Sequence, residues 1–256
     1  MQNYCSQLFK TLYNLGTVSM VIKKFEELPK NMQNDAVKAY YDILRKKNAA
    51  LVFKRIFDVV VSLVILVFLL PIFLIIAIAI KLDSRGPVFY RQVRITQYGK
   101  KFRIFKFRTM REDADRTGEL VTVKGDARIT RVGRVIRKCR LDELPQLLNV
   151  LGGSMTFVGT RPEVEKYVDK YTSEMLATLL LPAGITSEAS ICFKDEDVLL
   201  VDINDIDDVY INDILPQKMK YNLCALKNFS FFGDIVLMFK TVFAVLGKDY
   251  SDKETK

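Results

Sequence analysis

The sequence predicts an α+β protein that is predominantly helical, with one membrane-embedded helix, a small globular domain and interfacial amphipathic helices. Three observations support this class. Residues 59–80 carry no charge and are long enough to cross the hydrocarbon core of a bilayer as a helix. Apolar residues recur at helical spacing on both sides of this segment. Two short stretches that follow it alternate apolar and basic residues, as strands do.

The first amphipathic pattern lies in an N-terminal extension, residues 1–53. Val37, Tyr40, Tyr41 and Leu44 share one helical face, and Asn34 or Asp35 is a suitable N-cap. This helix lies either on the membrane surface or on the protein core. We favour the surface, because the hydrophobic segment follows within a few residues.

The hydrophobic segment, residues 54–82, is predicted as a re-entrant membrane helix kinked at Pro71. A proline inside a helix removes one backbone hydrogen bond and bends the helix. Basic residues flank both ends and favour the cytoplasmic side: Lys54, Arg55, Lys81 and Arg85. A helix that returns to the same face keeps the basic residues of both flanks on the cytoplasmic side. The residues alone are equally compatible with an ordinary kinked helix that spans the membrane.

Positive charge is concentrated directly after this helix. Residues 81–140 contain 18 Lys or Arg and 6 Asp or Glu, whereas the whole chain carries +9. Residues 88–90 and 102–108 read as strands, and Gly99 between them suits a hairpin turn. Arg131, Arg134 and Arg137 repeat at helical spacing, so they bind either phosphate groups or an anionic lipid surface.

The absence of histidine excludes several common catalytic groups. His general bases, Ser-His and Cys-His nucleophiles and His-ligated zinc cannot occur in a chain without histidine. The four cysteines are widely spaced without a C-x-x-C pair, which favours reduced thiols over a disulfide framework. Chemistry must therefore use carboxylates, Lys, Tyr, Ser or Cys.

Asp142 and Glu143 are the strongest candidates for that chemistry. Asp142 is a suitable N-cap, and Pro145 fits the first turn of the following helix. The helix N-terminus and the basic residues upstream would both favour an ionised Asp142. Spacing alone favours a structural cap over a catalytic group.

The globular domain is predicted to extend over residues 83–250, with a disordered tail at 251–256. Near its end, seven apolar residues share one helical stripe, which suits a membrane interface or a core equally: Phe232, Ile235, Val236, Phe239, Val242, Phe243 and Leu246.

Five stretches in order resemble the bacterial sugar transferases, the monotopic polyprenyl-phosphate phosphoglycosyl transferases. They are residues 54–58 (KRIFD), 86–92 (GPVFYRQ), 105–110 (FKFRTM), 141–146 (LDELPQ) and 158–162 (VGTRP).

The resemblance implies a two-step transfer. The family's dyad aspartate attacks a UDP-sugar, releases UMP and keeps the phosphosugar, which a polyprenol phosphate, expected to be undecaprenyl phosphate, then accepts. Carried over, Asp142 is the nucleophile and a ligand of Mg²⁺, and Glu143 assists it. The implied substrate contacts are Lys106, Arg108, Arg137 and Arg161, with Lys194 in place of the family's usual arginine.

The resemblance also implies a location and partners. We expect a polyprenyl-phosphate sugar-1-phosphate transferase at the bacterial inner membrane, bound to membrane lipids, with its catalytic domain on the cytoplasmic face. No nucleic-acid partner is expected, and a homodimer stays open. Two departures from the family pattern are Leu70-Pro71 for its Ser-Pro break and Asn222 for a frequent aspartate. A membrane-anchored polyanion-binding protein and an inactive assembly scaffold are the competing hypotheses.

Overall fold

The computed structural model describes residues 22–111, 128–193 and 206–245. These residues form a mostly helical α+β structure, as the sequence predicts. The helices are α1 (Asp35–Arg45), α2 (Asn48–Asp83), α3 (Arg131–Lys138), α4 (Gln146–Leu151), α5 (Glu165–Val168), α6 (Glu188–Cys192), α7 (Ile206–Val209), α8 (Leu215–Lys227) and α9 (Phe231–Val245). The strands are β1 (Phe89–Ile95), β2 (Lys101–Phe107), β3 (Met155–Val158) and β4 (Ala183–Thr186).

Helix α1 packs on the protein core, so the favoured membrane-surface position is wrong for its apolar face. The predicted Asn34 cap is confirmed, because its side chain accepts the backbone N–H of Val37. The four residues of the predicted stripe are at most 2% exposed and join one core cluster with Leu180 and Phe229. The apolar face that suited a bilayer instead packs within the globular domain.

Helix α2 contains the whole hydrophobic segment and begins at Asn48, before the predicted start at Lys54. At 1.5 Å per residue it is about 54 Å long if straight, which exceeds the roughly 30 Å hydrocarbon core. The helical conformation continues through Pro71, so the chain is not interrupted there. A bend at Pro71 and the re-entrant path stay predictions.

The beginning of α2 is fixed to the globular domain by buried polar side chains. Arg55 donates to the carbonyl oxygens of Val150 and Leu151 at 2.5 and 3.0 Å, the last residues of α4. Lys54 forms an ion pair with Asp234 of α9 at 2.6 Å. These two cations, predicted as charges facing the cytoplasm, are buried contacts between elements.

Both halves of α2 also pack against the domain through apolar side chains. Before Pro71, Val61 and Ile65 contact the cluster around Ile104 and Val150. After Pro71, Ile76 and Ile80 join the cluster that contains Phe107 and Ile136. The opposite face of the helix exposes large apolar side chains along its length, among them Val60, Phe68, Ile75 and Leu82.

The predicted hairpin is confirmed. Strands β1 and β2 pair antiparallel, with Phe89 opposite Phe107 and Ile95 opposite Lys101. Gly99 in the connecting turn has a φ of 72°, in the left-handed region that glycine adopts without steric cost.

In the second sheet, β3 pairs with β4 in parallel. Hydrogen bonds to the residues of β4 continue beyond β3, from Gly159 N–H to Thr186 O and from Gly184 N–H to Thr160 O. Gly159 and Gly184 approach so closely that a Cβ on Gly184 would lie 2.2 Å from the backbone of Gly159. The absence of a Cβ at Gly159 and Gly184 therefore permits the two backbones to pack. Arg161 follows directly after this contact.

Helix α9 keeps its apolar stripe exposed, which excludes the core interpretation for most of it. Phe232, Val236, Phe239, Val242 and Phe243 are all exposed, whereas Met238 packs towards α2 and β3. Leu246 lies outside the described residues. The exposed stripe suits the predicted position in a membrane interface.

Candidate active site

Asp142 and Glu143 lie on a single 3₁₀ turn, Leu141–Glu143, between α3 and α4. Pro145 directly precedes α4, so its predicted place at the helix start is close to the observed one. Asp142 does not cap a helix, because three residues separate it from α4 and its side chain makes no capping hydrogen bond. The structural-cap interpretation of this residue is therefore wrong.

Glu143 is held by two cations. Arg161 donates to both carboxylate oxygens, Nη2 to Oε1 at 2.5 Å and Nη1 to Oε2 at 3.4 Å. Lys106 donates to Oε1 at 3.1 Å. Burial alone would raise the pKa of Glu143, but Arg161 and Lys106 hold it well below its usual range. Glu143 is thus an anion that two cations hold through both of its carboxylate oxygens.

Asp142 lies in a different environment. Asp142 is 8% exposed, and within the described part of the chain no group donates a hydrogen bond to its carboxylate. Burial raises the pKa of Asp142 and the neighbouring Glu143 raises it further, whereas Lys106, Arg137 and Arg140 lower it. The net direction is upward, contrary to the sequence expectation, because burial outweighs the surrounding cations.

Strand β2 and helix α4 position Lys106 beside this pair. The Asn149 side chain joins the two elements, since it accepts the N–H of Phe105 at 2.8 Å and donates to Arg103 O at 3.0 Å. Burial lowers the pKa of the Lys106 ammonium, and the guanidinium groups of Arg161 and Arg94 lower it further.

Helix α3 brings Arg137 close enough to Asp142 to lower the pKa of this acid. The helix packs tightly against the end of the hairpin, because a Cβ on Gly133 would lie 2.1 Å from Thr109 O. Thr130 caps α3 by accepting the N–H of Gly133 at 2.9 Å. Lys106 and Arg161 contact Glu143, and Arg137 lies near Asp142. Their roles as substrate contacts stay predictions.

Arg140 was predicted only as one of the basic residues upstream of Asp142, and not as a substrate contact. It lies close enough to both acids to lower the pKa of each. Its φ of 54° is unusual for a residue with a side chain. The backbone N–H of Arg140 binds Arg137 O at 2.9 Å, which closes the turn that joins α3 to the acids.

A buried polar network behind Arg161 was missed. Glu163 accepts the hydroxyl of Tyr210 at 2.7 Å, and Lys218 donates to the same hydroxyl oxygen at 2.9 Å. Arg94 donates to Pro162 O at 3.3 Å. These contacts fix the backbone on both sides of Pro162, directly after Arg161. The sequence shows Glu163 directly after Arg161-Pro162. It does not reveal the partners of this acid, Tyr210 and Lys218, because they are distant in the chain.

Among the predicted or questioned positions, Arg108 and Asn222 form no hydrogen bond or ion pair with the acid pair in the described residues. Arg108 is buried and donates to Ser84 at the end of α2. Lys194 lies outside the described residues. Asn222 is buried on α8, with only a weak contact from its amide to the sulfur of Met219 at 3.8 Å.

The described residues offer no ready-made metal cage. No three Asp, Glu or Cys side chains converge in residues 22–111, 128–193 and 206–245. Asp142 keeps a carboxylate without a hydrogen-bond partner in these ranges, whereas Glu143 is occupied by Arg161 and Lys106.

The chain is similar to several named bacterial proteins. A UDP-N-acetylgalactosamine-undecaprenyl-phosphate N-acetylgalactosaminephosphotransferase of Aeromonas hydrophila is 35% identical over 196 residues, covering 75% of this chain and 43% of the relative. A UDP-glucose:undecaprenyl-phosphate glucose-1-phosphate transferase of Klebsiella pneumoniae is 36% identical over 197 residues, covering 75% and 40%. The chain thus spans less than half of the length of these two relatives.

A third relative is matched over most of its own length. The exopolysaccharide production protein ExoY of Rhizobium meliloti is 35% identical over 207 residues, covering 75% of this chain and 84% of the relative. The family model for bacterial sugar transferases matches residues 49–248, from the start of α2 to beyond α9. The chain belongs to the bacterial sugar transferase family.

Proposed function

We propose that this chain transfers a phosphosugar from a UDP-sugar to a polyprenol phosphate, with undecaprenyl phosphate as the expected acceptor. The observation that carries the proposal is the contrast within the acid pair. Glu143 is fixed by Arg161 and Lys106, whereas Asp142 is buried among cations with no hydrogen bond to its carboxylate in the described residues. A nucleophile needs such an available lone pair.

In the first step, a carboxylate oxygen of Asp142 attacks the β-phosphorus of the UDP-sugar. The bond from that phosphorus to the oxygen bridging the two phosphates breaks, and UMP leaves with the bridging oxygen. The phosphosugar stays on Asp142 as an acyl phosphate. Lys106, Arg137 and Arg140 stabilise the charge that develops on the phosphate oxygens.

In the second step, an oxygen of the acceptor phosphate attacks the same phosphorus. The bond between phosphorus and the Asp142 oxygen breaks, which restores the carboxylate and leaves a polyprenyl-diphospho-sugar. Glu143 holds Lys106 and Arg161 in place during both steps. Its role in this proposal is to position cations.

Mg²⁺ fits this site with Asp142 as its single protein ligand, because Glu143 is already bound by Arg161 and Lys106. Magnesium usually binds one or two protein carboxylates together with substrate phosphates and water. Asp142 would supply the protein ligand, and the bound ion would neutralise phosphate charge during transfer. The lack of hydrogen bonds to Asp142 in the described residues supports this placement.

The attachment of α2 supports a monotopic position at the cytoplasmic face of a bacterial inner membrane. Helix α2 is the one described helix long and apolar enough to cross a membrane. Arg55 at its beginning and Ser84 at its end both bind the same globular domain. A helix that enters and leaves on one side satisfies both contacts.

A UMP-release assay over a panel of UDP-sugars tests this function. The wild-type chain, with Mg²⁺ and a polyprenol phosphate, is expected to release UMP from at least one donor. Asp142→Asn should abolish release while membrane association persists. Full turnover by this variant would contradict the proposal. Salt-dependent polyanion binding without any UMP release would favour a binding protein instead.

A further inference from the structure

Glu163 carries a buried negative charge two residues after Arg161. It is 6% exposed, and its Oε1 accepts the Tyr210 hydroxyl at 2.7 Å. Two cations lie near the carboxylate: Lys218 Nζ is 3.5 Å from Oε1, and Arg94 Nη1 is 3.9 Å from Oε2. The proposed transfer steps use none of these four side chains, so their arrangement needs a separate explanation.

Folding stability alone does not account for this buried cluster. Taking ions out of water costs about as much free energy as their mutual attraction returns, so a buried ion pair stabilises a fold little compared with apolar residues of the same size. Lys218 is 5% exposed and donates to Tyr210 Oη at 2.9 Å, so the hydroxyl is bound by both charged groups. Such a network favours one arrangement of the chain, because only that geometry satisfies every member.

A π-helical turn brings Tyr210 and Lys218 together. The turn extends over Tyr210–Ile214, directly before α8. In a regular α-helix, residues eight apart are offset by about 80°, whereas residues seven apart share a face. The π-turn accommodates one extra residue, so Lys218 lies where a regular helix would place a residue seven positions after Tyr210. Such turns are frequent at functional sites.

The backbone on both sides of Arg161 is hydrogen-bonded to strands. The N–H of Gly184 in β4 donates to Thr160 O at 2.8 Å, and the N–H of Ile95 in β1 donates to Glu163 O at 3.0 Å. The Glu163 side chain adds the contact with the π-turn and α8. Since Arg161 lies between these anchored positions, the network determines where the arginine side chain begins.

The charge of Glu163 also offsets the repulsion between two neighbouring arginines. Burial lowers the pKa of Arg94, Glu163 raises it, and the nearby Arg161 guanidinium lowers it. Arg161 at the same time binds Glu143, with 2.5 Å between Nη2 and Oε1. Without the negative charge of Glu163, Arg94 would repel Arg161 more strongly, and Arg161 would hold Glu143 in a less defined position.

We propose that Glu163, Tyr210 and Lys218 are positioning residues, which hold the Arg161 guanidinium on Glu143 in the geometry that phosphosugar transfer requires. This inference rests on the proposed function. In the described residues, no hydrogen bond or ion pair joins these three side chains to the acid pair, so their effect passes through Arg161.

Tyr210→Phe tests this proposal, because it removes one hydroxyl and keeps the ring. Single-turnover UMP release without acceptor yields an amplitude, which counts active molecules, and a rate constant, which reports the geometry of the site. The rate constant should fall about tenfold, because a small displacement of a contact slows chemistry strongly. The donor concentration that gives half the maximal rate should change by less than about twofold, since positioning acts mainly in the transition state. The amplitude should stay near that of the wild type.

Tyr167→Phe is the matched control. It removes a hydroxyl from the ring that packs on Tyr210 with 4.5 Å between centroids, but this hydroxyl donates to Asp207 at 2.6 Å. Its rate constant should stay within about twofold of the wild-type value. A reduced amplitude with an unchanged rate constant in Tyr210→Phe would overturn the proposal in favour of a structural role. Equal falls of the rate constant in both variants would overturn it as well.

A double-mutant cycle in thermal unfolding tests the same coupling without any substrate. Glu143→Gln should lower Tm less in the Tyr210→Phe background than in the wild type, because the Arg161 contact is already weakened there. In the Tyr167→Phe background the decrease should be as large as in the wild type. Additive changes in Tm for Tyr210→Phe and Glu143→Gln would overturn the proposal. Absence of UMP release in the wild type would instead contradict the proposed function, and a non-additive cycle would still support the coupling to Arg161.

Discussion

The two adjacent carboxylates of Asp142 and Glu143 lie in contrasting surroundings. Glu143 has an arginine fork on both oxygens and a lysine on one of them. Asp142 is buried and raised in pKa, with no hydrogen bond to its carboxylate in the described residues. Under the proposed function, this difference favours Asp142 as the reacting acid and Glu143 as the acid that positions cations.

Replacing the two acids should therefore affect stability differently. Glu143→Gln removes the negative charge shared by Arg161 and Lys106, so we expect a loss of about 2 kcal/mol in unfolding free energy. Asp142→Asn removes a buried charge without hydrogen bonds, so the protein should be at least as stable as the wild type. Thermal unfolding in the same detergent measures both. A larger loss in Asp142→Asn would contradict the assignment.

The raised pKa of Asp142 predicts an acid limb in the first step. The attacking form is the carboxylate, so the rate should fall as the pH drops through a pKa above the ordinary value of about 3.9. Single-turnover UMP release without acceptor isolates this group, because the donor diphosphate stays ionised over that range. A rate that stays constant down to about pH 4 would contradict the shift.

The sequence predicted part of this site and missed the rest for physical reasons. Lys106, Arg137 and Arg161 follow from motifs that resemble a family, and the structure places all three at the acids. The position of Arg140 beside the acids depends on its left-handed backbone conformation, which the residue types in this stretch do not predict. The upward shift of Asp142 depends on burial, which one-dimensional charge patterns cannot reveal.

Helix α1 shows at the element scale why periodicity alone is ambiguous. An apolar stripe requires an apolar partner, but the spacing does not say whether that partner is lipid or protein. Here Val37 and Leu44 are fully buried against the domain, whereas the similar stripe on α9 is exposed. Only the tertiary arrangement distinguishes the two helices.

The packing of α1 predicts that its apolar face contributes to folding stability. Leu44→Ala should lower the free energy of unfolding by about 2–5 kcal/mol, the usual cost of a cavity in a core. Membrane association should not change. The control is Asp42→Ala on the exposed face of the same helix, expected within about 0.5 kcal/mol of wild type. Loss of membrane binding in Leu44→Ala without loss of stability would restore the surface interpretation.

The long helix α2 is attached to one globular domain at both ends, which limits how the whole molecule can lie relative to a membrane. Arg55 binds the end of α4, and Ser84 binds Arg108 beyond β2. The sequence predicted the helix from its uncharged run and its basic flanks. It could not reveal that Lys54 and Arg55 are buried contacts within the protein, because their partners are distant in the chain.

Both ends of α2 should consequently face the same compartment. Single cysteines at Lys46 and Lys100, both exposed, can be introduced after the four native cysteines are replaced by serine. A membrane-impermeant maleimide should label both positions from the cytoplasmic side in inverted vesicles and neither in intact cells. Labelling from opposite sides would show that α2 spans the membrane.

The most direct test of a covalent transfer through Asp142 is the mass of the protein after reaction with a UDP-sugar in the absence of acceptor. We expect an added phosphosugar on the peptide that contains Asp142, its disappearance when polyprenol phosphate is supplied, and no adduct in Asp142→Asn. An adduct on a different residue, or transfer by Asp142→Asn at the wild-type rate, would contradict it.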